Sequence, residues 1–466
     1  MAFAAAMMMT ACTNNDESPE VQNPNEAQVG QKVPVGFEAY TERGTTRAGL
    51  AGELNTTKLQ DTKANGGGFG VFAYYTDLKK YDQTYVPNFM YNQGVFYNGP
   101  LGDAGDDRWH YSPLMYWPNE SGSNAQSDDE DKVSFFAYAP YVETSSAAAG
   151  SVTGDATWGI TGFSRNSTVG DPIVKYIASF NAAETVDLCW GVIGAAEETS
   201  GWNKIQTPST PQALTAGLPW LDIEHPKVIE QPLKFTFKHA LSQLYVQIDA
   251  DGDVATHDDT GDAIDGDTKI YVRSISFTGI AMKGALNLNN PVANTARWLD
   301  YSGMTDLPYG ESVTVKDGRR DGREGASGAE ATNELPQGLN PVIVQNSTAT
   351  AGVTTTAVNL FDGGTGTVCV IPTGEAMTVT IVYDVETESR DLTTYLSDGV
   401  TKGSSIENKI TKKITAWSDT SIGLVSGKKY TLKLHLGMNS VKFEAVVGNW
   451  DDSASINSEP WLPVNQ

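Results

Sequence analysis

Cysteine is nearly absent: three residues in 466, at Cys12, Cys189 and Cys369. There is no C-x-x-C pair, and none of the five histidines (His110, His225, His239, His257, His435) stands at ligand spacing from another His or a Cys. That spacing argues against a structural zinc. Positive charge is scarce too, with 32 Lys and Arg against 57 Asp and Glu and a net charge of −25. Such a chain repels phosphate backbones, so nucleic acid is not an expected partner. It also repels anionic lipid, so any membrane attachment must be covalent or by insertion. Beyond the N-terminal segment, no run approaches the roughly 18 apolar residues of a transmembrane helix. G-x-S-x-G, H-E-x-x-H and P-loop patterns are missing, and the "GGTGTV" run at Gly363 lacks the Lys of a phosphate loop. Neither an enzyme nor a cofactor is expected.

What the chain does have is 39% hydrophobic residues, 9% aromatics, 46 Gly and 21 Pro, with charged residues at only 19%. β-Branched and aromatic side chains suit a pleated surface, and Gly and Asn suit turns. An all-β protein follows, long enough for two or three domains. Strand candidates in the first half include "KVPVGFEAY", "GGGFGVFAYYTD", "VSFFAYAPYV", "DPIVKYIASF" and "VDLCWGVIG". Residues 197–227 are polar and proline-bearing and place a domain boundary near their end. The second half opens on "PLKFTFKHALSQLYVQIDA", whose Phe235, Phe237, Leu241, Leu244, Val246 and Ile248 are mostly two apart and read as one long strand. "TVCVIPTGEAMTVTIVYDVE", "GKKYTLKLHL" and "SVKFEAVVGNW" close the chain. The expected division is a leader and tether at 1–30, one sandwich at 31–227 and a second at 228–466.

Residues 2–11 form a short apolar block like the core of a signal peptide, with no Lys or Arg before it, so translation is expected to start upstream or the chain to be trimmed. Met9-Thr10-Ala11-Cys12 resembles a bacterial lipobox, which makes Cys12 an acylation site. The tail that follows, "TNNDESPEVQNPNEAQVGQ", is too polar to build a core and reads as a tether. Cys189 and Cys369 lie in apolar runs, either as buried free thiols or as a disulfide in an oxidising compartment.

Other features are weighed against ordinary structural roles. Asp249, Asp251 and Asp253 occupy alternate positions of an acidic loop, but Val254 and Thr260 stand where an EF-hand needs Gly and Glu, so the loop reads as solvated. The groups Trp109/Tyr111/Tyr116/Trp117 and Phe135/Phe136/Tyr138/Tyr141 would serve a glycan-binding surface lipoprotein as stacking platforms, or else fill a sandwich core, the preferred reading.

Four segments, in order, resemble the fimbrillin family, the Mfa-like and fimbrillin-like lipoprotein precursors of type V pili in Gram-negative anaerobes. They are "YWPNESG…DKVSFFAYAPY", "LKFTFKHALSQLYVQI" with its Lys238-His239-Ala240, "TVCVIPTG…TVTIVYDV", and "GKKYTLKLHLGMNSVKFEAVVGNWDD", ending at Trp450. The resemblance implies two tandem transthyretin-like/Greek-key β-sandwich domains and adhesive fimbriae anchored at the outer membrane and cell surface. It implies export as a lipoprotein and cleavage by a trypsin-like protease after an Arg in the loop behind the first strand. Arg47 ("GTTRAGL") fits best and Arg43 second, which makes 31–47 the removable first strand. The partners would be further copies or related pilins, each donating a late strand. The matching donor residues are Ser440, Val441, Lys442, Phe443, Glu444, Ala445, Val446 and Val447. Pro460 and Pro463 depart from an unbroken donor ladder.

Overall fold

A computed structural model describes residues 33–41, 54–77, 79–97, 108–118, 131–154, 156–199, 214–224, 232–250, 268–305, 307, 313–316, 343–345, 358–361, 366–389, 391–395, 402–437 and 441–449. These residues are almost wholly strand and turn, as the composition predicts. No helix among them is long and apolar enough to cross a membrane.

The first sheet has eight described strands. Its order is Phe37–Thr41, Leu233–His239, Cys189–Ile193, Val133–Ala139, Phe69–Tyr75, Met90–Tyr97 and Trp109–His110, with Trp220–Ile223 also on Val133–Ala139. Its two central strands, Val133–Ala139 and Phe69–Tyr75, are buried at nearly every position because both faces are covered. Val71, Ala73, Phe135 and Ala137 face one core, and Phe72, Tyr74, Phe136 and Tyr138 face another. The second core is closed by a smaller sheet of Arg297–Leu299, Lys283–Asn287, Ile173–Ile177 and Gly159–Phe163. Tyr138 lies over Gly70, where a Cβ would come within 2.2 Å of the ring. Its hydroxyl donates to Asn92 Oδ1 at 2.7 Å and accepts from the Val142 amide at 3.2 Å. Burial pushes that phenol far above its ordinary pKa, so it stays a donor at every working pH. Tyr138→Phe is expected to cost about 1–3 kcal/mol, the toll of stranding buried polar partners, measured as a shift in the denaturant midpoint.

A second sandwich follows. Ile280–Ala281, Thr367–Pro372, Ser242–Ala250, Lys428–Leu436 and Val441–Asn449 form one sheet. Val313–Lys316, Thr268–Thr278, Thr378–Glu388 and Gly403–Lys413 form the facing one. Leu244, Val246 and Ile248 meet Ile275, Phe277, Val379 and Ile381 between them.

The seam between the halves does not follow the expected break at 227/228. Leu233–His239 pairs in the first sheet with Cys189–Ile193, while Ser242–Ala250 pairs in the third with Thr367–Pro372 and Lys428–Leu436. The single long strand expected from 233 to 250 is therefore two. The reason is visible in parity: Leu233, Phe235 and Phe237 are buried at odd positions and Leu244, Val246 and Ile248 at even ones. One continuous strand cannot bury both sets on one face. Lys283–Asn287 and Arg297–Leu299 also return to the first half.

Candidate functional site: the first strand and its groove

The first strand, Phe37–Thr41, is an edge strand that runs parallel to Leu233–His239, with Phe37 opposite Leu233 and Thr41 opposite Phe237. Alternation sorts its side chains. Val35, Phe37, Ala39 and Thr41 are 1%, 4%, 6% and 5% exposed, whereas Glu38 points outward and pairs with Lys234 at 3.1 Å. The Phe37 ring lies 5.4–6.3 Å from those of Tyr111, Phe135, Phe235 and Phe69. This ring plugs the first core.

Polar contacts fix the strand's ends. Val35 N–H donates to Met115 O at 2.9 Å, Trp117 N–H to Val33 O at 3.0 Å, and the Tyr111 hydroxyl to Val35 O at 2.7 Å. The Tyr40 hydroxyl donates to Glu197 at 3.0 Å, its pKa raised chiefly by burial. Thr41 meets the Thr56 hydroxyl at 2.9 Å. Along the edge away from Leu233–His239, the strand borders a groove of about 690 Å³, lined in part by Tyr97, Trp109, His110, Tyr111 and Leu114.

Cys12, Arg43, Arg47 and Ser440 lie outside the described residues, as do Asp251 and Asp253. Around Leu54 the structure assembles a group that sequence spacing missed. The Leu54 amide donates to Asp187 Oδ2 at 3.0 Å, and His239 Nδ1 meets the same oxygen at 2.8 Å. Cys189 Sγ stands 3.5 Å from His239 Nδ1 and 3.8 Å from Asp187 Oδ1. Among the described residues, these three are the group whose donor atoms lie close enough together to hold a metal. The 2.8 Å Asp187–His239 separation is that of a hydrogen bond between the two. Asp187 and Cys189 are two residues apart, but His239 arrives from another strand, directly opposite Cys189. Only strand pairing unites them.

The other sequence candidates divide as follows. Val441–Asn449, which contains most of the expected donor, is the edge strand of the third sheet, antiparallel to Lys428–Leu436. Val441, Phe443, Ala445 and Val447 pack on the core of the second sandwich but stay only half-buried. Lys433 holds Glu444 at 3.2 Å. First and last strands therefore belong to different sheets. Cys189 and Cys369 are buried free thiols. Tyr111, Trp117, Phe135, Phe136 and Tyr138 are core residues, so these rings form no glycan platform.

A curated relative matches part of the chain: the fimbrium subunit Fim1C of Phocaeicola vulgatus is 32% identical over 143 residues. That match supports the resemblance to the fimbrillin family. The matched stretch is 29% of this chain and 29% of the relative, so the chain spans under a third of that relative's length. No family model matches. Among solved structures, a fimbrial protein from Bacteroides vulgatus aligns over 90% of this chain and 100% of its own, at 20% identity and a TM-score of 0.39. The tip fimbrial protein Mfa3 from Porphyromonas gingivalis, truncated at its C-terminus, aligns over 90% and 100% at 9% identity and a TM-score of 0.28.

Proposed function

We propose that this protein is a fimbrillin, a non-enzymatic pilus subunit that polymerises at the cell surface by exchanging its first strand for a strand of the next subunit. It is exported as a lipoprotein acylated on Cys12 and released when a trypsin-like protease cuts after Arg47, or failing that after Arg43. The observation that carries this reading is the position of the first strand. It is an edge strand, so it can leave without threading through the sheet, yet it buries Phe37 at the centre of the first core. Each large apolar side chain withdrawn costs about 1.5–3 kcal/mol of burial, so the emptied groove strongly favours a replacement. The uncovered edge of Leu233–His239 offers the backbone groups for it. A strand given by one subunit and received by the next is a head-to-tail bond, and such bonds propagate as open filaments.

Limited trypsin treatment of the full precursor is expected to yield a new N-terminus at Ala48 and filaments visible by negative-stain electron microscopy. Cleavage at Arg47 that leaves only monomers would refute the exchange step.

A further inference from the structure

The first and last strands are near copies of each other. Residues 35–41 read Val-Gly-Phe-Glu-Ala-Tyr-Thr and residues 441–447 read Val-Lys-Phe-Glu-Ala-Val-Val, identical at four of seven positions. The match extends to orientation. The inward residues of the first strand (Val35, Phe37, Ala39, Thr41) correspond to Val441, Phe443, Ala445 and Val447, the four that face the core at the last strand's home position.

Resting on the strand-exchange reading, we propose that the last strand of one copy enters the vacated groove of another in the single register that lays 441–447 over 35–41, parallel to Leu233–His239. Phe443 then takes the ring cage of Phe37, Glu444 meets Lys234 in place of Glu38, and Ala445 and Val447 lie opposite Phe235 and Phe237.

The three differing positions bear on fit. A Cβ on Gly36 would meet Pro232 at 3.5 Å, ordinary contact distance, so Lys442 is accommodated there. Val447 has the shape of Thr41 and gives up the contact with the Thr56 hydroxyl. Val446 lacks the hydroxyl that Tyr40 donates to Glu197. Other registers fare worse. A one-residue slip turns Lys442 and Glu444 into the core. A two-residue slip puts Phe443 in the space of Ala39, or Ala445 in that of Phe37, which overpacks or empties the site. The donor gains depth on transfer, from half-buried at home to positions where the present occupants are at most 6% exposed. That gain must exceed the cost of uncovering the Lys428–Leu436 edge it leaves.

The test uses full-length precursors, mixed in pairs, cut with trypsin and oxidised mildly. One partner carries Lys234→Cys and the other Glu444→Cys, with Lys442→Cys and Val446→Cys as displaced controls. The expected product is a 234–444 disulfide between copies, dominant over 234–442 and 234–446 by mass spectrometry. In the same register, Val446→Tyr restores a hydroxyl for Glu197 and is expected to slow filament disassembly about tenfold, as one charge-assisted hydrogen bond would. Val446→Phe, with the bulk but no hydroxyl, should not. Filaments whose dominant adduct is 234–442 or 234–446, or that link 234 to no position on the last strand, would overturn the register and leave strand exchange standing. Cut monomers that form no filaments would overturn both.

Discussion

Phe37→Ala is expected to destabilise the first sandwich of the uncut precursor by about 3–5 kcal/mol, the usual toll for emptying a buried aromatic site. The same substitution should have no effect on a subunit from which the cut fragment has been removed. Both halves of this expectation come from one geometry. The Phe37 ring touches Phe69, Tyr111, Phe135 and Phe235, which belong to four different segments, so its loss cannot be absorbed by one neighbour moving. Yet the residue rides on an edge strand and departs with it. With two sandwiches, unfolding need not be two-state. Hydrogen exchange at the amides of Phe69–Tyr75 and Val133–Ala139 reads the first sandwich alone. Equal destabilisation before and after removal of the fragment would mean that the first strand had not left.

The second large effect concerns what stays behind. Asp187→Ala removes the acceptor shared by His239 and the Leu54 amide, both in contact with it at 2.8–3.0 Å. Deleting the acceptor leaves two buried donors unsatisfied at about 1–3 kcal/mol each, because each keeps its desolvation penalty. His239 and Asp187 side chains are only 10% and 1% exposed, so water gives little relief. Leu54 stands seven residues past Arg47 and anchors the segment that the proposed cut would turn into the new N-terminus. Loss of the anchor is expected to extend trypsin cleavage to Lys58, an exposed residue in the short helix Thr56–Leu59, detectable as a truncated fragment by mass spectrometry. Wild-type protein should stop at Arg47. Asp187→Asn, which keeps an acceptor oxygen, should retain most of the protection.

Much of the fold was legible in the sequence. The segment "VSFFAYAPYV" reads as a strand and Val133–Ala139 is one, and the aromatic groups read as core, where most of their rings lie. Alternation in 35–41 marked the first strand and which side of it is buried. The seam between the sandwiches was misplaced because a run of apolar residues outweighed a parity change inside it. The buried positions pass from odd to even between Phe237 and Leu244, the mark of a strand that ends and a new one that begins on another sheet. Asp187, Cys189 and His239 could not be found by spacing. Fifty residues separate Cys189 from His239, and only the antiparallel register of their strands sets them face to face.

The central claim is that the first strand must leave before subunits can join. Glu38 and Lys234 stand directly opposite one another on neighbouring strands, their side chains partly exposed and 3.1 Å apart at the charged ends. A precursor carrying Glu38→Cys and Lys234→Cys, oxidised to tie the two strands together, can still be cut after Arg47 but cannot release the fragment. Electron microscopy after trypsin is expected to show monomers while the tie is intact and filaments once it is reduced. Filaments assembled from subunits whose first strand is still tied would contradict the claim outright.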